Sequence, residues 1–326
     1  MTTLYVHFDR RLTADEAENL LPRLSPGIEL TDGSEVPVST DILISGRPTR
    51  EQLLAAPNRR ALIIPWAGLP NETRDLMRDF PGVTVHNLHH NAAPVAELTL
   101  MLLLAAAKFA LRYDNALRRN DWRIRYEHPA PTVLLDGKTA LILGFGAIGR
   151  RVALACRALG MTTLATRRRL DAPQMDEDTM VYPASALRDL LSQADALIIS
   201  LPHTPETDGL LGADELALLP SHSVLVNIGR GRIVDERALY EALRDGRLRA
   251  AGLDVWYSYP PDEAARRDWP PSAYPFNELD NVIMSPHRGG AADETARLRM
   301  TALAGMLNDA FLGRAMGNLV DLEAGY

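Results

Sequence analysis

Residues 138–169 read KTALILGFGAIGRRVALACRALGMTTLATRRR. Thr139 to Leu143 is a short apolar run with the composition of a strand buried on both faces, and it leads straight into Gly144-Phe-Gly146-Ala-Ile-Gly149. Arg150 to Leu159 has helical periodicity, Gly160 stops it, and Met161 to Ala165 reads as the next strand. The stretch is therefore a βαβ unit. In such a unit Gly144 permits the tight turn, Gly146 leaves room for a pyrophosphate, Gly149 lets helix and strand pack closely, and the helix N-terminus faces the phosphates. A tight turn without a ligand would use the same glycines. The strand before, the helix after and the second strand favour a dinucleotide site.

The end of the second strand bears on which dinucleotide. An NAD site carries an acid roughly 20 residues beyond the glycines, to accept hydrogen bonds from the ribose. Here the chain has Thr166, Arg167, Arg168 and Arg169, and the first acid is Asp171. Guanidinium groups bind a 2′-phosphate that a carboxylate would repel, so NADP(H) is expected over NAD(H), which stays open. A solvated basic turn would look the same.

The whole chain has 326 residues, 46% hydrophobic and 24% charged, enough for two domains with their own cores. The net charge of -7 argues against nucleic acid or an anionic membrane as the main partner. The single cysteine, Cys156, falls in the helix after the glycine loop, which fits a reduced, cytoplasmic protein and rules out a disulfide within the chain. The first residues show neither a signal nor a transit peptide, and the longest apolar stretch, Leu98 to Ala107, is too short to span a bilayer.

Upstream, Leu4 to Phe8, Ile42 to Ser45, Leu62 to Pro65 and Val83 to His86 read as short strands, with helical pieces at Thr49 to Ala56 and Glu72 to Asp79. In the loop Pro65-Trp-Ala-Gly68-Leu-Pro70, Gly68 would let backbone N–H groups approach an anion, although an ordinary turn is an equal reading. The histidines of Val85 to Asn91 (VHNLHHN) have no Cys or carboxylate beside them, so no metal is expected. Pro94 to Asn120 predicts one long helix, apolar nearly all round in its first half. A Pro-containing connection then leads to Val133.

Downstream of the glycine loop, helices around 185–191, 213–218 and 236–244 alternate with strands Ala196 to Leu201, Val224 to Ile228 and Ala250 to Val255. Such alternation predicts a doubly wound parallel sheet with ligands at the carboxyl ends of its strands. Tyr257 to Asp280 reads as a long loop, Asn281 to Ser285 as a last strand, and Asp293 to Leu312 as a last helix.

Three strand ends carry candidates for chemistry: Arg230 in Val226-Asn-Ile-Gly-Arg-Gly231, Asp254 in Gly252-Leu-Asp-Val-Trp256, and His287 in Ser285-Pro-His-Arg288. With these motifs the sequence resembles the D-isomer-specific 2-hydroxyacid dehydrogenases, from about Asn91 onward. The resemblance implies an α/β fold of two Rossmann-like domains with a cleft between them: 1–93 with 291–326 as the substrate domain, and 94–290 as the dinucleotide-binding domain. It also implies a homodimer. The arginine matching Arg230 binds the carboxylate and carbonyl of a 2-oxo acid, and the histidine matching His287 protonates the carbonyl as hydride arrives. Backbone groups of Ala67 and Gly68 hold the carboxylate, with Asn91 also at the substrate, while Asp254 faces the nicotinamide carboxamide. To the cofactor the resemblance further assigns Ala147, Ile148, Pro202 and Thr207, together with Ile228, Gly229 and Gly289. Elementary chemistry agrees for the first pair, because hydride addition builds charge on an oxygen that a guanidinium stabilises and an imidazolium neutralises.

One position departs from the family. Where most of its members place a glutamate that keeps the histidine protonated, this chain has Tyr259, in Asp254-Val-Trp-Tyr-Ser-Tyr259-Pro260. A phenol can orient an imidazole but adds no charge, so His287 is expected to titrate low and reduction to weaken as pH rises through neutrality. Asp262 or Glu263 is a candidate replacement carboxylate. The reading reached is a reductase of small 2-oxo acids such as glyoxylate or hydroxypyruvate, making D-2-hydroxy acids. Two rivals stand beside it. Formate dehydrogenases of this kind also lack the glutamate and share Asp-Val-Trp. Corepressor-like relatives sense nucleotide without turnover.

Overall fold

The computed structural model describes residues 3–127 and 131–325. His128 to Ala130, within the predicted Pro-containing connection, and residues 1, 2 and 326 of the predicted domain ranges lie outside them. The chain divides into two units, Met1–Asn91 with Ala291–Tyr326, and Ala92–Gly290.

The first unit is built on β1 (Leu4–Phe8), β2 (Ile28–Asp32), β3 (Ile42–Ile44), β4 (Ala61–Ile64) and β5 (Thr84–Asn87), all parallel, in spatial order 2-1-3-4-5. Alternate residues face opposite sides, as strand geometry requires. Ile42, Ile44, Ala61 and Ile63 share a core with Met300, Leu303 and Leu307 of the helix Thr295–Phe311. Leu43, Leu62 and Ile64 share another with Leu53 and Met77 of the helices Arg50–Ala55 and Asn71–Met77. The last helix of the chain thus completes its first unit. Periodicity does not reveal β2, because only Ile28 of that edge strand is buried.

The second unit holds β6 (Thr139–Leu143), β7 (Thr162–Arg167), β8 (Gln174–Asp176), β9 (Thr179–Pro183), β10 (Ala196–Ile199), β11 (Val224–Asn227), β12 (Ala250–Leu253) and β13 (Val282–Met284). Their order is 13-12-11-10-6-7-9-8, parallel except for the β8–β9 pair. Every residue of β10, β11 and β12 is buried, which accounts for their unbroken apolar composition. The order reverses between β6 and β10, the place where open α/β sheets bind ligands. Val181 of β9 lies in the core, while polar contacts tie down the rest of the β8–β9 hairpin: Arg150 grips Asp176 with both terminal nitrogens, and Arg157 donates to Thr179. No sequence periodicity records such a hairpin.

The single helix predicted over Pro94 to Asn120 is two helices, Ala92–Ala107 and Ala110–Arg118, bent by 67°. Phe109 turns the chain with φ 51. Val133 fixes that turn, its N–H donating to Ala107 O and its carbonyl accepting from Lys108 Nζ at 2.6 Å, while the Arg249 guanidinium covers the Phe109 ring at 5.0 Å. These contacts offset the cost of a left-handed aromatic residue. Among the described residues no single helix is long and apolar enough to cross a membrane.

The first of these helices lies directly on β12. A Cβ added at Gly252 would fall 2.7 Å from Leu102 Cβ and 3.0 Å from its carbonyl oxygen. Gly252→Ala is expected to destabilise the protein by about 1–3 kcal/mol, the usual cost of overpacking. The effect should be read as a lower urea midpoint at unchanged m-value. An unaltered midpoint would show that helix and strand do not meet this closely.

Candidate active site

β11, β12 and β13 are adjacent and parallel, so their carboxyl ends share one edge of the sheet. Asn227 ends β11 and is buried; its Oδ1 accepts from Gly229 N–H at 3.0 Å and its Nδ2 donates to Arg230 O at 3.0 Å. The turn is pressed from both sides. A Cβ at Gly229 would lie 2.6 Å from Leu201 O, and one at Gly231 would lie 2.4 Å from Trp256 O. Arg230 therefore leaves the turn between two glycines that no larger residue could replace. Its Nη1 donates to Gly229 O at 2.7 Å, and its solvent-reaching guanidinium is crowded enough that desolvation lowers its pKa. It stays cationic at any working pH.

Asp254 follows β12 and is 2% exposed. Its Oδ1 accepts from Ser285 Oγ at 2.5 Å and Arg288 N–H at 2.8 Å, and its Oδ2 from Gly289 N–H at 2.9 Å. Trp256 adds a fourth tie, its indole N–H donating to Ser285 O at 2.8 Å. All four bonds hold the turn after β13, and within that turn His287 adopts φ 58. A left-handed histidine persists only where its surroundings over-determine it. Both oxygens of Asp254, which the resemblance assigns to the carboxamide, are engaged by this turn.

His287 Nδ1 lies 3.0 Å from the Tyr259 hydroxyl, which also receives Trp256 N–H at 3.1 Å. Asp262 instead accepts from Ala265 N–H and Glu263 pairs with Arg266. Burial, and then the Arg230 cation, push the His287 pKa down, while Asp254 opposes them. Burial raises the Tyr259 phenol, against the Trp256 N–H and Arg230.

The glycine loop stands at the end of β6. Gly144 has φ +95, Gly149 comes so close to Gly144 O that an added Cβ would lie 2.1 Å away, and the space beside Gly146 is open. Gly146 caps the helix Ala147–Ala158 without a side-chain hydrogen bond, leaving the N–H groups at Ala147 and Ile148 for an acceptor outside the helix. This arrangement fits a dinucleotide pyrophosphate. Thr166 is buried and its carbonyl accepts from Gly144 N–H at 3.2 Å; Arg167 beyond it is exposed, and Arg168 lies 3.8 Å from Glu206. After β10, Thr207 Oγ1 donates to Pro202 O at 2.7 Å and accepts from Thr204 N–H at 2.8 Å, shaping that loop. Ile228 is buried beside Asn227.

Arg230, Asp254, Tyr259 and His287 are thus brought together in the second unit, and Ala67, Gly68 and Asn91 belong to the first. There Ala67 O accepts from Asn87 Nδ2 at 2.8 Å, which orients the loop containing Gly68. His86 is bonded to Gly317 O and Thr84, His89 is exposed, and His90 is lowered to about 4 by burial and the Arg299 cation. Sequence patterns pass over Asn227, Trp256 and Ser285 as supporting residues. The only signal is their place, at or just beyond the end of an apolar strand.

Residues 100–289 match the family model described as D-isomer specific 2-hydroxyacid dehydrogenase, NAD binding domain. Over 233 residues the chain is 40% identical to a glyoxylate reductase of Aeropyrum pernix, covering 70% of this chain and 66% of that protein. Over 229 residues it is 33% identical to a D-3-phosphoglycerate dehydrogenase of Methanocaldococcus jannaschii, covering 70% and 41%. The chain thus spans less than two thirds of either relative. A D-isomer specific 2-hydroxyacid dehydrogenase from Xanthobacter autotrophicus Py2, solved in complex with NADPH and MES, has the same fold, with TM-score 0.79 at 24% identity over 100% of both chains.

If the buried carboxylate holds the His287 turn, Asp254→Asn, which removes the charge and sets an amide N–H against a backbone N–H, should destabilise by about 1–3 kcal/mol. Ser285→Ala should cost about 1 kcal/mol. Equal urea midpoints for wild type and Asp254→Asn would show that the carboxylate does not bear on the turn.

Proposed function

Because this chain belongs to the D-isomer specific 2-hydroxyacid dehydrogenase family, we propose that it reduces small 2-oxo acids, glyoxylate or hydroxypyruvate among them, to D-2-hydroxy acids and prefers NADP(H). The observation that carries this reading is the placement of Arg230 and His287 after the carboxyl ends of β11 and β13, the strands on either side of β12, each fixed by buried polar residues. The guanidinium binds the substrate carboxylate and stabilises the charge that grows on the carbonyl oxygen. His287 Nε2, which has no hydrogen-bond partner among the described residues, delivers the proton. The bound nicotinamide supplies the hydride. The roles of Ala67, Gly68 and Asn91 toward the substrate rest on the family resemblance.

The NADP(H) preference rests on Arg167 and Arg168 at the end of β7, where Arg168 exchanges Glu206 for the 2′-phosphate. NAD(H) is the poorer cofactor in this reading. Met101, Leu104, Leu111, Leu117, Trp122 and Tyr126 are exposed apolar residues of one stretch, which supports a second copy of the chain as partner. The Cys156 thiol, buried and pushed up to about 12, is inert, in keeping with a cytoplasmic protein. Formate oxidation and nucleotide sensing leave the contact between Tyr259 and His287 without a use.

The test is NADPH and NADH oxidation against glyoxylate, hydroxypyruvate, pyruvate and phenylpyruvate. Turnover with NADPH should exceed that with NADH, and Arg230→Ala should lose at least about a hundredfold in kcat/KM. Replacing Arg167 and Arg168 by Ser should lower kcat/KM with NADPH about tenfold or more and leave NADH nearly unchanged. NADPH binding without turnover of any acid would instead favour the sensor.

A further inference from the structure

The partner of His287 Nδ1 decides what kind of acid the imidazole is. A carboxylate in that place only accepts, so it fixes a proton on Nδ1 and favours the imidazolium. The Tyr259 hydroxyl both accepts and donates. One of its acceptor directions is taken by Trp256 N–H at 3.1 Å, and Nδ1 stands at 3.0 Å. The charged groups acting on the pair are Arg230, from the turn after β11, and Asp254, from the end of β12. The Arg230 cation works against an imidazolium and in favour of a phenolate, whereas Asp254 works against that shift while spending its oxygens on three donors of the His287 turn. Asp262 and Glu263 are bonded elsewhere.

From this geometry we infer that Tyr259 donates its hydroxyl proton to Nδ1 of a neutral His287, so that the imidazole carries its own proton on Nε2 and Tyr259 is the proton reservoir behind it. The inference rests on the reductase reading above. As the carbonyl carbon gains a hydride, the carbonyl π pair becomes the oxygen lone pair that takes the Nε2 proton. The electrons of the broken Nε2–H bond return to the ring, and Nδ1 takes the proton of the Tyr259 O–H bond, leaving a phenolate. Trp256 N–H and the Arg230 cation stabilise that phenolate. After turnover the phenolate takes its proton back from Nδ1 and water reprotonates Nε2, Tyr259 and His287 both being exposed. Protons and charge balance without a carboxylate. The fall of reduction through neutrality, expected from sequence for a lone imidazolium acid, is then absent.

Two measurements test this on the whole protein. In the pH profile of 2-oxo acid reduction, wild-type kcat should vary less than about threefold between roughly pH 6 and 9, a range below the ionisation of the phenol. Tyr259→Phe, which removes only the hydroxyl, should fall about tenfold per pH unit above the titration of His287. Tyr259→Glu should restore an imidazolium acid whose falling limb lies about one to three units higher than that of the Phe variant. The second measurement is ¹⁵N NMR of the His287 ring, with and without NADP⁺. Neutral His287 should be the Nε2–H tautomer in wild type and lose that bias in Tyr259→Phe. A wild-type profile that falls in parallel with Tyr259→Phe, or an Nδ1–H tautomer in the wild type, would overturn the inference. If no 2-oxo acid is reduced, the reductase reading fails by itself, and the tautomer still decides the direction of the hydrogen bond.

Discussion

The geometry of the site depends on one buried carboxylate. Asp254 sits at the end of a fully buried strand and receives three donors from the turn that follows its neighbour. A buried carboxylate is costly unless both oxygens find donors, and a left-handed histidine is costly unless its turn is held. Each liability is met by the other. Removing the carboxylate would release the turn, and relaxing the turn would strand the charge.

The electrostatics follow from the same arrangement. With Asp254 committed to backbone and hydroxyl donors, no second carboxylate among the described residues contacts His287, and Arg230 is the nearby cation. It disfavours a charged imidazolium and eases the phenol toward phenolate, so it suits a neutral imidazole backed by a hydroxyl donor. In low-dielectric surroundings such a charge counts for more than in water. A position that reads from sequence as a missing glutamate is, in space, a hydrogen-bonding group of different capability.

Much of this was legible beforehand, for reasons that differ by element. The glycine loop and the strands around it announce themselves because fully buried parallel strands are unbroken apolar runs and the turn between strand and helix tolerates only glycine. The positions of Arg230, Asp254 and His287 follow from the rule that such sheets present their carboxyl ends to ligands. Other features left no periodic trace. The break at Phe109 is decided by Val133 and Arg249, more than 20 residues away in sequence. The edge strand β8 is tied down by guanidinium contacts to Asp176, and β2 buries one side chain. The bond between Tyr259 and His287 joins a loop to a strand end 28 residues later, and only the identity of the missing residue pointed to it.

The contact between Gly231 and the Trp256 backbone carries one more implication. With an added Cβ only 2.4 Å from Trp256 O, the arginine turn and the segment that holds Tyr259 are wedged together before any ligand arrives. The spacing between Arg230 and the Tyr259–His287 pair is therefore a property of the scaffold, not of a bound molecule. In the proposed reduction, such a frame would accept any acid whose carboxylate and carbonyl fit that spacing. Divergence toward a longer or bulkier acid would have to proceed through other parts of the chain, leaving this wedge untouched.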